Sequence, residues 1–185
     1  MGMFKLLGKN NSSIAQRMVC ISTSMKTIKM NAKNMYQLVE VKLTKRKKQF
    51  PFNQPIQSSY DAGKFFQTMI SDKDREVLCA VGMDIKGNIT YYEVIHIGTL
   101  SQSIIHPREV FKASILSNSN AIIIAHNHPS GDVTPSNSDR HTTKRIMEAG
   151  EIIGIDLIDH FIIAEDKYYS IKEDKTYYNE RNKDE

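Results

Sequence analysis

The chain has only two cysteines and five prolines among 185 residues, and no tryptophan. Cys20 and Cys79 stand far apart with no paired spacing. That excludes a disulfide framework and a cysteine-rich structural zinc site, and it fits a reducing cytoplasm. No stretch approaches the roughly 18 consecutive apolar residues of a membrane-spanning helix, so no membrane is expected as a partner. The opening Met1 to Lys9 segment lacks the apolar core and small-residue cleavage site of a secretory leader. Leu6 stands where a myristoylation motif needs Ser or Thr. No internal repeat is present, and the length suits one domain with an appendage.

Acidic residues are scarce at the front. Residues 1–55 hold 11 Lys or Arg against one acid, Glu40, whereas the remainder holds 14 against 20, so the net charge of +4 conceals a basic front end. That end includes Lys45, Arg46, Lys47 and Lys48, followed by Pro51 and Pro55. One reading is an arm that contacts nucleic acid or another polyanion. The other is a solvated, partly disordered leader, favoured by the lack of aromatics within the basic run.

From residue 56 the pattern changes to alternating helices and strands. Ser58 to Asp61 offers caps for a helix carrying Ala62, Phe65, Phe66 and Met69. Segments 76–84 and 89–97 read as strands of a hairpin turning at Lys86, Gly87 and Asn88. Pro107 opens a second helix through Leu116, and Ala121 to Ala125 reads as a buried strand. Thr134 and Pro135 predict the cap and first position of a helix running to Gly150. Strands at 155–164 and 168–171 follow, and from Lys175 a charged, frayed tail is expected. This order predicts an α/β domain with a mixed sheet and helices against it, over residues 56–174.

The chemistry concentrates in His126-Asn-His-Pro-Ser-Gly-Asp-Val-Thr-Pro-Ser-Asn-Ser-Asp139. Side chains two apart on a strand share a face, so His126 and His128 can reach one ion. Ser136 and Asp139 are three apart on a helix and share a face as well. Two imidazoles and one carboxylate make three ligands, the number that catalytic zinc sites use while leaving a place for water. The same ligands suit other divalent metals.

The pattern H-x-H-P, six residues, S-x-x-D resembles the metal signature of the JAB/MPN+ metallohydrolases, the JAMM motif. With Ser101 to Val110 before it and Glu148 to His160 after it, the segment is similar to the RadC branch of that family, over roughly residues 56–174. The resemblance implies a single JAB/MPN (cytidine-deaminase-like) α/β domain and one Zn2+ held by His126, His128 and Asp139. It implies hydrolysis of an amide or isopeptide bond in a peptide or protein substrate, including ubiquitin-like proteins. A glutamate at the start of the strand after the first helix serves as general base in the family, and here that position is Glu76. The resemblance also gives Ser136 the role of donor to an oxyanion, with local capping of a helix as its rival. RadC carries an association with DNA repair, although residues 1–55 show no helix-hairpin-helix pattern of the kind that precedes the domain in full-length members. A metal-free MPN scaffold for protein partners is disfavoured by the intact ligand set.

The remaining ionisable residues divide by their setting. Glu93, on the partner strand, competes with Glu76 for the role of base, while Asp84, Glu109 and Asp132 fit turn, helix and loop positions that need no catalytic role. His160 reads as support for a ligand, a substrate contact or a structural histidine. His106 reads as a cap or a groove residue, His141 as solvated, and His96 as a packing or edge residue. The letters His126-Asn127-His128 spell the HNH nuclease name, whose residues are not consecutive, which argues against that reading. A helix-turn-helix over 139–155, with Gly150 in the turn, matches the local pattern but leaves the histidine pair without a purpose.

Overall fold

The computed structural model describes residues 26–30, 34–38, 54–98 and 105–179. The chain divides into two units, residues 1–47 and 48–185. Within the first, β1 (Lys26–Met30) and β2 (Asn34–Leu38) pair antiparallel, with Lys26 opposite Leu38. Most of the expected basic extension, including Lys45 to Lys48, lies outside the described residues.

The second unit is built on a six-stranded mixed sheet. Its elements in chain order are α1 (Ser59–Ile70), β3 (Val77–Met83), β4 (Ile89–Ile97), α2 (Pro107–Leu116) and β5 (Ala121–Asn127). They continue with α3 (Asn137–Ile153), β6 (Asp156–Ile163), β7 (Lys167–Ser170) and β8 (Lys175–Tyr178). The strand order is β4-β3-β5-β6-β7-β8, and only β5 and β6, joined through α3, run parallel. This is the mixed α/β arrangement that the order of elements predicts.

Alternation along β3 and β5 sorts two apolar layers. Cys79, Val81, Ile123 and Ala125 pack with Phe65, Phe66 and Ile70 of α1 on one face. Leu78, Ala80, Ile122 and Ile124 pack with Val110 and Phe111 of α2 and Ile146 of α3 on the other. Because both faces are covered, β3 and β5 are buried along their whole length, which their near-continuous apolar runs anticipate. His126 follows Ile122 and Ile124 at the same parity and so belongs to the face under α3.

Three expectations need correction. The helix after the motif starts at Asn137, not at Pro135, because Ser136 and Asp139 form a capping box that supplies the orphan N–H groups with partners. The same helix runs through Gly150 to Ile153 and ends at Gly154 with φ +77°, a left-handed conformation that suits glycine. With no turn at Gly150, the helix-turn-helix reading of 139–155 is lost. Finally, part of the expected tail is ordered: β8 closes a hairpin with β7, and Tyr177 stacks on the buried Tyr168 at 5.1 Å between ring centroids. The pairing of that short charged strand is specified by its hairpin partner, which local composition does not reveal. Residues 180–185 lie outside the described residues.

Candidate metal centre

His126 is the penultimate residue of the buried strand β5, flanked by Leu78 of β3 on one side and Ile162 of β6 on the other. His128 lies just past the strand end, where its N–H donates to the Ile163 carbonyl at 3.0 Å. The chain then turns through Pro129 to Gly131, whose φ of +80° is accessible to glycine at no steric cost. The turn brings the Asp132 carbonyl back to within 2.5 Å of His128 Nδ1. A carbonyl only accepts, so His128 carries its hydrogen on Nδ1 and keeps the Nε2 lone pair for another partner.

Asp139 projects from the first turn of α3. Its Oδ2 accepts from the Ser136 N–H at 2.8 Å and from the Ser136 hydroxyl at 2.6 Å, while the Asp139 N–H donates to Ser136 Oγ at 3.1 Å. The capping box thus occupies one carboxylate oxygen and leaves Oδ1 to face His126 Nε2 at 3.5 Å. The two histidine Nε2 atoms are 3.0 Å apart. One donor atom from each of His126, His128 and Asp139 falls within 4.8 Å of the others.

This set fits a divalent metal. Metal–nitrogen bonds of about 2.0–2.1 Å in a tetrahedral site separate the ligand atoms by roughly 3.3 Å, close to the 3.0 and 3.5 Å that separate His126 Nε2 from His128 and Asp139. Burial holds His126 well below the ordinary histidine range; His160 adds to the effect and the Asp139 charge opposes it. A neutral imidazole is the form that binds metal.

His160, on β6, is fully buried beside the centre. Its Nε2 lies 2.8 Å from His126 Nδ1 and its Nδ1 lies 2.7 Å from the Thr143 hydroxyl. Burial pulls the His160 imidazole down to about 3, helped by repulsion from His128. His160 thus contacts His126 at the ring nitrogen that does not face Asp139.

Glu76 immediately precedes β3 and is half-buried. The antiparallel register pairs Leu78 with His126, and continuing it by two residues sets Glu76 opposite His128. Glu93 lies on the far side of β3 from β5 and pairs with Ala80, four residues further along the chain than Glu76. Its Oε2 is buried without a hydrogen-bond partner. Asp132 holds His128 through its main-chain carbonyl, and the other candidates are placed apart from the ligands. His106 is exposed at the cap of α2 and makes no side-chain capping bond. His141 is exposed on α3, and His96 pairs with Leu78 on β4. Asp84 caps the β3–β4 turn, Glu109 pairs with Arg108 and Lys112, and Asp132 caps the Thr134 N–H.

Two residues escape the motif reading. Thr143 was findable in principle, since four residues after Asp139 on a helix shares its face. Asn127 was not, because its partners come from β3 and the segment before it: Oδ1 accepts the Val77 N–H at 2.8 Å, and Nδ2 donates to the Lys73 and Arg75 carbonyls at 3.2 and 3.0 Å.

A cleft of about 890 Å³ opens beside His128, lined also by Tyr60, Lys64, Lys73, Ser130 and Glu165. None of the three ligands lines a second cavity of about 570 Å³, which touches Met83 and Ala121 at the other end of β3 and β5.

A family model described as the RadC-like JAB domain matches residues 56–176. The chain belongs to the RadC-like JAB domain family. It is 49% identical over 118 residues to a UPF0758 protein of Staphylococcus carnosus, covering 64% of this chain and 52% of that one. A UPF0758 protein of Chlorobium phaeovibrioides is 46% identical over 121 residues, covering 65% and 54%. One of Desulforamulus reducens is 50% identical over 103 residues, covering 56% and 45%. The chain thus spans about half the length of these curated relatives. The matched region contains every ligand of the candidate centre and Glu76, Ser136 and His160. No helix among the described residues is long and apolar enough to cross a membrane.

Proposed function

We propose that the protein is a zinc-dependent hydrolase of amide or isopeptide bonds, with peptides or proteins, including ubiquitin-like proteins, as its substrate class. The observation that carries this reading is the convergence of His126 Nε2, His128 Nε2 and an Asp139 carboxylate oxygen beside an open cleft. Three protein ligands leave a coordination position for the reaction, as catalytic zinc sites do. When bound, the metal supplies Lewis acidity that acidifies water and polarises a carbonyl oxygen.

The protein side chains supply the rest. Glu76 takes the proton of the attacking water and delivers it to the leaving nitrogen, and its register position opposite His128 supports this choice over Glu93. Ser136 donates its hydroxyl to the oxyanion that develops on the substrate, turning away from Asp139 Oδ2 to do so. Asp132 and His160 hold the two histidine rings from behind. The buried free thiol of Cys79 is in keeping with a cytoplasmic setting.

The test combines metal analysis with hydrolysis of a linked or peptide substrate. The purified protein is expected to hold one zinc per chain, a chelator to stop hydrolysis, and Glu76→Gln to retain zinc without turnover. Full activity after chelation would overturn the hydrolase reading, and full activity in Glu76→Gln would overturn the choice of base.

A second role rests on the charge asymmetry: residues 1–55, with 11 cations and one acid, would serve as an arm for nucleic acid. Removing them should abolish salt-dependent retention on DNA, and unchanged retention would refute the arm.

A further inference from the structure

The contacts behind His126 link Asp139, Thr143, His160 and His126 in one chain of hydrogen bonds. Thr143 stands one turn after Asp139 on α3, and its hydroxyl donates to the Asp139 main-chain carbonyl at 2.7 Å. Such a bond from a helical threonine to the carbonyl four residues back is a common local option. Here it has a consequence beyond the helix. A hydroxyl has a single hydrogen, so toward His160 Nδ1, 2.7 Å away, the Thr143 oxygen acts as acceptor. His160 therefore bears its hydrogen on Nδ1 and its lone pair on Nε2. That lone pair meets His126 Nδ1 at 2.8 Å, so His126 must donate from Nδ1. The remaining nitrogen of His126, Nε2, is left bare, and it is the atom that faces His128 and Asp139.

Every member of this chain of bonds is buried: His126 is 0% exposed, His160 1%, Thr143 7% and Asp139 6%. Water has little access to offer any of them another partner. Reversing the direction at one point would leave a buried donor facing a donor, or an acceptor facing an acceptor. The chain also begins and ends on the metal centre, since the carbonyl that orients Thr143 belongs to Asp139, itself a ligand.

We infer that Thr143 and His160 are positioning residues of the metal centre, which fix His126 in the tautomer whose Nε2 lone pair points at the ion. The inference rests on the reading of His126, His128 and Asp139 as a metal site. His128 reaches the same tautomer by a separate route, through the Asp132 carbonyl. The two histidines thus present matched lone pairs from opposite kinds of support, one main-chain and one through two side chains.

The experiment measures zinc affinity by competition with a chromophoric chelator, and the ring tautomers of the metal-free protein by long-range ¹H–¹⁵N correlation. In the wild type, His126 and His160 should both appear with hydrogen on Nδ1. Thr143→Val keeps the shape of the side chain and removes the hydroxyl; it should weaken zinc binding by about 10- to 100-fold. Thr143→Ser should restore it, because the hydroxyl and not the methyl carries the effect. Wild-type protein that binds no zinc would sink the metal-site reading itself. Wild-type protein that binds zinc, with Thr143→Val within twofold of it, would overturn only the inference. So would a wild-type His126 with its hydrogen on Nε2, a result that needs no variant to fold.

Discussion

Asn127 points its amide away from the metal centre and toward the start of β3, where its Oδ1 accepts the Val77 N–H at 2.8 Å. The residue between the two histidine ligands therefore ties down the backbone next to Glu76. Two further bonds, from Nδ2 to the Lys73 and Arg75 carbonyls, extend the tie over the whole approach to the strand. One turn of sequence thus sets both the ligands and the base, with alternate side chains facing opposite ways.

Asn127→Ala should lower stability by about 1–3 kcal/mol, because it leaves the buried Val77 N–H without its partner. Zinc content should be kept, while hydrolysis falls through misplacement of Glu76. Urea unfolding, metal analysis and turnover read the three quantities separately. Unchanged stability would contradict the account of Asn127.

Ser136 has two tasks, and one substitution separates them. Loss of the capping hydroxyl in Ser136→Ala should cost about 1 kcal/mol of stability. Loss of an oxyanion donor should reduce kcat by about 100- to 1,000-fold with zinc retained. A stability loss with normal kcat would leave Ser136 as a cap only.

Gly150→Ala tests how closely α3 approaches the start of β6. Helix propensity alone would make alanine better by about 1 kcal/mol. A Cβ at this position, however, would stand 2.5 Å from the Ile155 main-chain oxygen and 3.2 Å from Phe111 Cζ. The backbone contact cannot move aside, so the variant should be less stable than the wild type by about 1–3 kcal/mol. Thermal unfolding checks the sign, and an increase in Tm would contradict the packing described here.

Burial pushes the Cys79 thiol up to about 12 from its ordinary value of 9.0. A thiol that ionises more readily in the unfolded chain contributes stability that is present below pH 9 and declines as pH rises from there toward 12. Replacing Cys79 by Ala should remove up to about 1.4 kcal/mol per pH unit of that decline. At neutral pH the native thiol should resist iodoacetamide and react only after unfolding, as peptide mass spectrometry would show. Ready alkylation of the folded protein would contradict its burial.

The ligand set was legible because it is local. An apolar run predicts β5, the parity of 126 and 128 puts both histidines on one face, and helical spacing groups Ser136 with Asp139. The helix start was misplaced by two residues because proline at a first turn and a serine–aspartate box are both valid signals, and only the second is bonded. The pairing of His160 with His126 was out of reach, since it depends on the parallel register between β5 and β6, which shifts between Ile122 and Ile123. Asn127 and Tyr177 escaped for the same reason: each is defined by a partner on another strand.

X-ray absorption of the zinc-loaded protein tests the central claim most directly. The account predicts two imidazole nitrogens and oxygen donors at about 2.0–2.2 Å, with the imidazole signal lost in His126→Ala and His128→Ala. A shell of sulfur at about 2.3 Å, or zinc without imidazole neighbours, would contradict it.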